Sequence, residues 1–411
     1  MVDSYDNILG YLDPGSGSIF IYALLGIAVS VFFSLKKFFY KSLTFIKICK
    51  DKAKYCDSID SDIILHVEGP QYEHLFLPIA NELHKRDLKF AYVTQFERNS
   101  SSPILPSSAN HIEINEGLTG FSLLNKAKGK IFLTTTPQLD VLMLKRSSNV
   151  EQYVNVLHAP TDSGTLEIYA LDYFDAVLCP GKFMFEEIRK IEALRNLPAK
   201  KLFNTGVLYY DSLAKDADNC PIYSDKKTIL ISPSWGKNSL FQKSGVEFLR
   251  DLSAKYNLIV RPHPQTKKSQ PVLYKKIENI CNELKLELDT IGSPAKSMNQ
   301  SDLMISDFSG IVYDYAFVHE KPVVVFDMAM ELEGFEGHYL DKPLWRNKIL
   351  NDIATVIKHD NINHLSQYIK NTFESKSDKL SAIRDQHISN FGKSAPVAVD
   401  NILQLINKKA S

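Results

Sequence analysis

The sequence predicts an α/β protein with a pair of doubly wound, Rossmann-type domains that face each other across a cleft, preceded by one transmembrane helix. Short buried-strand patterns alternate with helical segments through most of the 411 residues. A polar segment at 214–227 divides these strands into two series, and a long apolar run stands near the N-terminus. We therefore expect an outer tip and transmembrane helix at 1–35, a basic juxtamembrane linker at 36–60, a first domain at 61–222 and a second domain with closing helices at 223–411.

The N-terminal segment has the length and charge pattern of a membrane anchor. Residues Ser16–Leu35 carry no charge, and about twenty apolar residues cross a bilayer as one helix. Acidic residues precede this run and lysines follow it, namely Asp3, Asp6, Asp13, Lys36, Lys37, Lys41 and Lys47. Because cytoplasmic flanks are rich in basic residues, we expect a single-pass protein of the cytoplasmic (inner) membrane, with its N-terminus outside. A cleaved signal peptide is the competing interpretation, but its basic residues would precede the apolar run.

The segment after the anchor mixes lysines with apolar residues. In Lys36–Lys54 aromatic and aliphatic side chains alternate with lysines, which is typical of a helix that lies on anionic lipid headgroups. A solvated continuation of the anchor helix explains the same pattern. Anionic membrane lipid is therefore an expected partner of this segment, with the solvated helix as the alternative.

The first domain is predicted from a series of short apolar runs. An apolar-periodic helix follows the first of them, and Asn99–Asn110 is rich in Ser and Pro, as in a surface loop. The predicted strands are Ile63–Val67, Lys89–Thr94, Ile131–Thr135, Tyr153–Leu157 and Ala176–Cys179.

The second domain shows the same alternation of strands and helices. We predict helices at Gly245–Tyr256 and Val272–Leu284, and an amphipathic helix at Ile311–His319 that follows the turn Ser306–Gly310. The predicted strands are Thr228–Ser232, Leu258–Val260, a weak Leu286–Asp289, Leu303–Ile305 and Val323–Phe326.

Composition and missing motifs exclude several classes of function. Acidic and basic residues are equal in number, 48 of each, so the net charge offers no argument for a nucleic-acid partner. The five cysteines are scattered, which fits a reducing compartment and argues against a disulfide framework or a zinc site. The phosphate loop of P-loop ATPases, the dinucleotide fingerprint of dehydrogenases and the nucleophile elbow of α/β-hydrolases are all absent, so these classes lose support.

Two segments of the second domain together predict a diphosphate site. The turn Ser306–Gly310 places Ser306, Asp307, Ser309 and Gly310 at a helix N-terminus, which binds phosphate through N–H groups, although an ordinary helix cap has the same chemistry. Arg261 and His263 end a neighbouring strand, at the edge where open α/β sheets bind ligands. Because these groups can neutralise a diphosphate, neither a metal nor a cofactor is expected. The sequence Asp60-Ser61-Asp62 is interpreted as a solvated turn, with metal binding as the alternative.

A histidine of the first domain is the candidate general base. His158 follows the strand Tyr153–Leu157, at the rim of the expected cleft, where an imidazole can accept a proton from an acceptor hydroxyl. A lone histidine at a strand end is more often structural. His66, at the end of the first strand, competes for this role, but we expect it to be a packed residue.

Four segments of the second domain form a known combination: Ile231-Ser232-Pro233-Ser234-Trp235, Arg261-Pro262-His263-Pro264, Ser306–Tyr315 with Lys321-Pro322, and Phe391-Gly392-Lys393-Ser394-Ala395. In these segments the chain resembles the CDP-glycerol glycerophosphotransferases of teichoic-acid synthesis, which have a GT-B fold. The resemblance covers about Thr228–Asn407 well and the first domain weakly, and it implies that His158 is the base. It also implies that His263, Ser306, Asp307 and Ser309 contact the donor pyrophosphate. The chain departs from the family after the base: where the family has His-Gly-Thr-Pro followed by Lys, this chain reads His158-Ala159-Pro160-Thr161-Asp162.

The sequence and this resemblance together predict a membrane-anchored transferase. It would move glycerophosphate, or a similar polyol phosphate, from a CDP-activated donor bound by the second domain to an acceptor bound by the first. The acceptor would be a hydroxyl of a lipid-linked or polymeric cell-surface glycan, and CMP would be released. A UDP-sugar glycosyltransferase or sugar-nucleotide 2-epimerase of the same fold is one alternative, and a non-catalytic membrane module in polysaccharide assembly is the other.

Overall fold

The computed structural model contains two parallel β-sheets, each covered by helices on both faces. It describes residue 36 and residues 58–407, except 101, 161, 218–225, 291–292, 329, 331, 341–343 and 375–378. The predicted anchor and nearly all of the basic linker lie outside these residues. Within the described part of the chain, no helix has the length and apolar character needed to span a bilayer.

The first sheet has seven strands in the order β3-β2-β1-β4-β5-β6-β7, and neighbouring strands are parallel. The chain order reverses at β1, as in a doubly wound sheet. The strands are β1 Ile63–Val67, β2 Phe90–Thr94, β3 Ala109–Glu113, β4 Gly129–Thr134, β5 Val150–Val156, β6 Ala176–Cys179 and β7 Lys201–Asn204. The helices among them are α1 Glu73–Lys85, α2 Leu118–Leu124, α3 Phe183–Leu194 and α4 Tyr210–Ala217. Two short 3-10 segments add Pro70–Tyr72 and Ser163–Thr165.

The second sheet has six parallel strands in the order β10-β9-β8-β11-β12-β13. The strands are β8 Thr228–Ile231, β9 Asn257–Val260, β10 Glu287–Leu288, β11 Leu303–Ser306, β12 Val323–Asp327 and β13 Thr355–Lys358. The helices up to β13 are α5 Leu240–Ser244, α6 Phe248–Ser253, α7 Pro264–Ser269, α8 Pro271–Leu284, α9 Ala295–Gln300, α10 Ile311–Val318 and α11 Trp345–Ile353. After β13 come α12 Leu365–Glu374, α13 Leu380–His387 and α14 Ser394–Asn407, and the 3-10 segments are Glu336–Tyr339 and His359–His364.

The predicted architecture of two doubly wound domains is confirmed, and several element predictions need correction. The loop predicted at Asn99–Asn110 ends in a strand, because β3 begins at Ala109. The helix predicted at Gly245–Tyr256 spans only Phe248–Ser253. Helix α10 is not amphipathic: most of its side chains are buried, since it is covered on several sides.

The last helix crosses back from the second domain to the first. Helix α14 packs against α1, and its side chains Ala398, Val399, Ile402 and Leu405 belong to the same apolar core as β1. The predicted division at residue 223 assigns this helix to the second domain. An apolar face alone does not reveal which sheet it covers, so the pattern of the sequence could not show this crossing.

Several direct contacts join the two domains. The backbone N–H of Arg346 donates to Asp162, which lies in the loop that follows β5. Arg195 of the first domain bonds to Glu336 of the second at 2.6 Å and 2.8 Å. Gly164 lies so close to the second domain that a Cβ atom there would stand 2.3 Å from Leu344 Cδ2. The loop after β5 is therefore in direct contact with the second domain.

Candidate functional site

The turn that follows β11 is held by side chains that bond inside the second domain. The Ser306 hydroxyl donates to the carbonyl of Ser232 at 2.7 Å. The carboxylate of Asp307 accepts the backbone N–H groups of Ser234 and Leu240, each at 2.8 Å. Both side chains are fully buried. Burial raises the pKa of Asp307 to about 6, although its hydrogen bonds to backbone N–H groups act to lower it. These two residues thus fix the turn 306–310 (the donor turn) against the loop after β8.

The outer part of the donor turn is more accessible. Phe308, Ser309 and Gly310 are half-buried, and α10 begins directly after Gly310. A helix N-terminus carries a partial positive charge and attracts a phosphate group. Ser309 and Gly310 are accessible to a ligand, and their contact with the donor stays a prediction. For Ser306 and Asp307 the geometry favours a positioning role, and their direct contact with the donor stays a prediction.

Arg261 has an ion-pair partner within its own domain. Its guanidinium donates to Asp289 at 2.7 Å, and the two side chains are only 9% and 4% exposed. Ser297 donates to the same carboxylate. Since a buried charge needs such a partner, Arg261 serves first to hold β9 against the neighbouring segments. Its predicted contact with the donor diphosphate also stays a prediction.

His263 is held in a defined tautomer at the start of α7. Its Nδ1 accepts the backbone N–H of Gln265 at 3.1 Å, so the ring proton is on Nε2. Burial, with the charge of Arg261, lowers the pKa of His263, so the ring is neutral near pH 7. The indole of Trp235, 42% exposed, lies 6.2 Å from the imidazole between ring centroids. A neutral imidazole with Nε2–H outward can donate a hydrogen bond to a phosphate oxygen.

His158 lies at the carboxyl edge of the first sheet among other aromatic rings. Its side chain is exposed, and the ring of Tyr72 meets it edge-on at 5.7 Å. Neighbouring protein atoms partly desolvate the imidazole and lower its pKa, so His158 is neutral near pH 7 and able to accept a proton. This position at the cleft rim is the one that the sequence predicts.

A second histidine, which the sequence patterns did not single out, stands beside His158. Desolvation by neighbouring atoms, with a smaller contribution from His158, lowers the pKa of His74 to about 4. The ring of Tyr209 meets His74 edge-on at 5.0 Å, and the Tyr209 hydroxyl donates to Asp314 of α10. Burial raises the pKa of Asp314 to about 6. These rings therefore connect the acceptor edge of the first sheet to the helix that follows the donor turn.

His66 is a packed residue, as predicted. It is completely buried and bonds to Thr134 at 2.9 Å and Gln95 at 3.0 Å. Burial lowers its pKa to about 4. Its hydrogen bonds tie β1 to β4 and to the end of β2, so His66 stabilises the sheet and is not a rival base.

The described residues hold no group of three or more His, Cys, Asp or Glu that could bind a metal ion. Asp60 and Asp62 are exposed, and each pairs with a lysine of the adjacent segment: Lys128 at 2.9 Å and Lys130 at 2.7 Å. The two carboxylates are solvated, as predicted, but 60–62 is not a turn, because its backbone pairs with 128–130 and leads directly into β1. Metal-free transfer itself stays a prediction.

A comparison with protein families decides the class of this chain. The family model of the CDP-glycerol:poly(glycerophosphate) glycerophosphotransferases matches residues 52–390. The chain belongs to this glycerophosphotransferase family. The match extends through both domains, whereas the resemblance read from motifs covered only the second domain well.

Solved structures show the same fold. A structure of the wall teichoic acid polymerase TagF, a histidine-to-asparagine variant soaked with CDPG, has a TM-score of 0.53 at 15% identity, and the match covers 90% of this chain and 99% of that one. A putative UDP-N-acetylglucosamine 2-epimerase from Listeria monocytogenes has a TM-score of 0.52 at 13% identity, with 83% and 94% of the two chains covered. No curated protein matches the chain. The glycerophosphotransferase thus has a GT-B-like fold.

Several residues of the glycerophosphotransferase site come from elements that carried no motif. His74 lies on α1, Tyr209 immediately precedes α4, and Arg346 lies on α11. The guanidinium of Arg346 donates to the carbonyl of Phe308 in the donor turn. Their contacts join segments far apart in the sequence. The signal available was weak: a Tyr-Tyr pair after β7 and a Trp-Arg pair at a helix start.

Proposed function

We propose that this glycerophosphotransferase moves glycerophosphate, or a similar polyol phosphate, from a CDP-activated donor to a hydroxyl of a lipid-linked or polymeric glycan. The observation that carries the proposal is the placement of two neutral imidazoles, His158 and His263, at the carboxyl edges of the two sheets. One imidazole can accept a proton while the other donates a hydrogen bond. Transfer of a phosphoryl group from a diphosphate to a hydroxyl needs both functions.

The donor end of the reaction rests on the second domain. The attacked phosphorus is bonded to CMP, so negative charge grows on the CMP phosphate as the bond to it breaks. The start of α10 and the Nε2–H of His263 can stabilise that charge because both offer polarised N–H groups. A rigid turn suits this task, since its N–H groups need no reorganisation during the reaction.

The acceptor end rests on the first domain. His158 takes the proton of the attacking hydroxyl. The oxygen of that hydroxyl forms the new bond to phosphorus as CMP leaves with the bonding pair. Tyr72 and His74 line the same edge and restrict the orientation of the His158 ring. Glu68 lies nearby at the end of β1, with its carboxylate held by the hydroxyls of Thr135 and Thr136.

We also propose that the N-terminal apolar run anchors the enzyme in the cytoplasmic membrane, beside a lipid-linked acceptor. The support is the charge asymmetry of the sequence around Ser16–Leu35. Membrane fractionation of the full chain tests this part: recovery in the soluble fraction would contradict it.

A ligand screen tests the donor. CDP-glycerol, CDP-ribitol, a UDP-sugar and CMP are each added to the purified protein, and thermal unfolding is measured. We expect CDP-glycerol to stabilise the fold by about 2.7 kcal/mol at a hundredfold excess over its Kd. Stabilisation by the UDP-sugar alone would favour the glycosyltransferase or epimerase alternative. In a separate assay with an acceptor present, the release of CMP should persist after EDTA is added, because no metal ion is expected to take part. Binding of CDP-glycerol without transfer would favour the non-catalytic module.

A further inference from the structure

The guanidinium of Arg346 lies directly behind the donor turn. The residue is 4% exposed, and its guanidinium donates to the carbonyl of Phe308 and approaches the sulfur of Met330 at 3.2 Å. Arg346 thus brings a positive charge to the turn that is proposed to hold the donor diphosphate. The predicted cation, Arg261, has a carboxylate partner of its own in Asp289.

The helix that carries Arg346 is capped by carboxylates of the other domain. Asp162 accepts the backbone N–H of Arg346 at 2.8 Å. Glu187 accepts the N–H of Ser163 at 2.8 Å and also a backbone hydrogen bond from Trp345. Carboxylates at a helix N-terminus satisfy its unpaired N–H groups and oppose its dipole. The N-terminus of α11 is therefore built from both domains.

These contacts join the two halves of the site through one residue. Asp162 lies on the loop that carries His158, and Phe308 lies in the donor turn. Separation of the domains would take Asp162 away from the backbone of Arg346 and would remove this cap from the helix that supports the donor turn. The position of the Arg346 side chain is thus coupled to the closed arrangement of the domains.

We propose that Arg346 is a positioning residue of the transfer reaction, which fixes the donor turn in its binding geometry only while the acceptor loop caps α11. This inference rests on the proposed function, because the ligand of the turn is taken to be a CDP-activated diphosphate. It adds a requirement: donor affinity depends on a contact between the two domains.

The test uses Arg346→Gln, which keeps a hydrogen-bond donor and removes the charge, and Arg346→Lys, which keeps the charge. Donor Kd, KM, kcat and Tm are measured with CDP-glycerol. We expect Arg346→Gln to weaken donor binding by about tenfold to a hundredfold, as the loss of a charged hydrogen bond does, and to lower kcat as well. Arg346→Lys should recover part of the loss, because it keeps the positive charge. The recovery should be incomplete, because an ammonium lacks the planar fork of donors that a guanidinium has.

Arg195→Gln is the matched control. Arg195 also bridges the domains, to Glu336 of the second domain and Asp172 of the first, and its described bonds do not involve the donor turn. We expect this variant to lower Tm and to leave donor Kd close to the wild-type value. A role of Arg346 in stability alone would give both arginine variants the same pattern.

The outcomes separate this inference from the proposed function. Wild-type donor Kd and kcat in Arg346→Gln would overturn the role of Arg346 while leaving the transferase intact. If that variant does not fold, Asp162→Ala, which keeps Arg346 and removes the cap from its backbone N–H, takes its place, and a wild-type donor Kd in it would overturn the role. Wild-type protein that neither binds CDP-glycerol nor releases CMP would instead remove the proposed function, and this inference with it.

Discussion

The two edges that form the cleft are built in different ways. At the donor edge, Ser306, Asp307 and Arg261 are buried, and their polar atoms bond to the same domain. At the acceptor edge, His158 and His74 are exposed rings that pack edge-on against tyrosines. The donor edge is thus preorganised around one ligand geometry. The exposed rings of the acceptor edge have more room to adjust.

This difference separates two classes of variant. Loss of a buried donor-edge side chain leaves unpaired polar groups behind, so we expect it to change stability and donor binding together. Loss of an exposed acceptor ring leaves few unpaired groups, so we expect it to change turnover alone. The following three variants test this contrast from the largest expected effect to the smallest.

Replacement of His158 by alanine should give the largest effect. We expect kcat to fall by about a hundredfold to ten-thousandfold, the range for a positioned base, with donor Kd and Tm nearly unchanged. In the wild type, the acid limb of the kcat–pH profile should lie below about pH 6.5, because desolvation by neighbouring atoms lowers the pKa of His158. Stopped assays of CMP release measure kcat.

The control for this variant is His84→Ala. His84 is an exposed histidine at the end of α1 that contacts Ser108, away from the cleft. It should keep wild-type turnover. If His158→Ala folds normally and also transfers at the wild-type rate, His158 is not the base.

Replacement of His263 by asparagine should give an intermediate effect on donor binding. Asparagine is a favourable N-cap, so it keeps the hydrogen bond from the N–H of Gln265 and the start of α7. It removes only the Nε2–H that faces outward. We expect donor Kd, measured by calorimetry, to rise by about tenfold to a hundredfold while Tm stays close to wild type. An unchanged Kd would show that His263 acts only as a cap.

Replacement of Glu187 by glutamine should give the smallest effect, visible in the pH dependence of stability. Burial, with the nearby charge of Asp162, raises the pKa of Glu187 to about 7 from 4.5. Between these values the folded protein keeps a proton that the unfolded chain releases, so wild-type stability falls as pH rises. Relative to wild type, the variant should gain about 1–2 kcal/mol between about pH 5 and pH 8. Urea unfolding at both pH values measures this gain. If the free energies of unfolding of variant and wild type differ by the same amount at both pH values, the raised pKa of Glu187 is contradicted.

The sequence predicts the central strands well and the edge strands poorly. The strands β1 and β6 lie between two neighbours, are entirely buried, and have the bounds that their apolar runs predict. The edge strands β3, β7 and β13 escape prediction, because a strand with one neighbour keeps exposed polar residues and shows no buried run. The weak prediction at Leu286–Asp289 corresponds to the short edge strand β10.

The candidate site divides in a similar way. His263 and the donor turn lie directly after strands, where the chain itself marks the ligand edge of the sheet. Arg346 and Tyr209 reach the site through contacts with Phe308 and Asp314, which are distant in the sequence. A single sequence shows no such pairings. The bonding of Arg261 to Asp289 was hidden for the same reason.

The return of α14 to the first domain has a consequence for the order of folding. During synthesis the first sheet is complete once Asn204 has left the ribosome, yet the apolar surface that α14 covers, beside α1, is still uncovered. That surface stays uncovered until 203 further residues have been made, since β7 ends at Asn204 and α14 ends at Asn407. The nascent first domain therefore exposes part of its core to other chains and to chaperones until the second domain has been made.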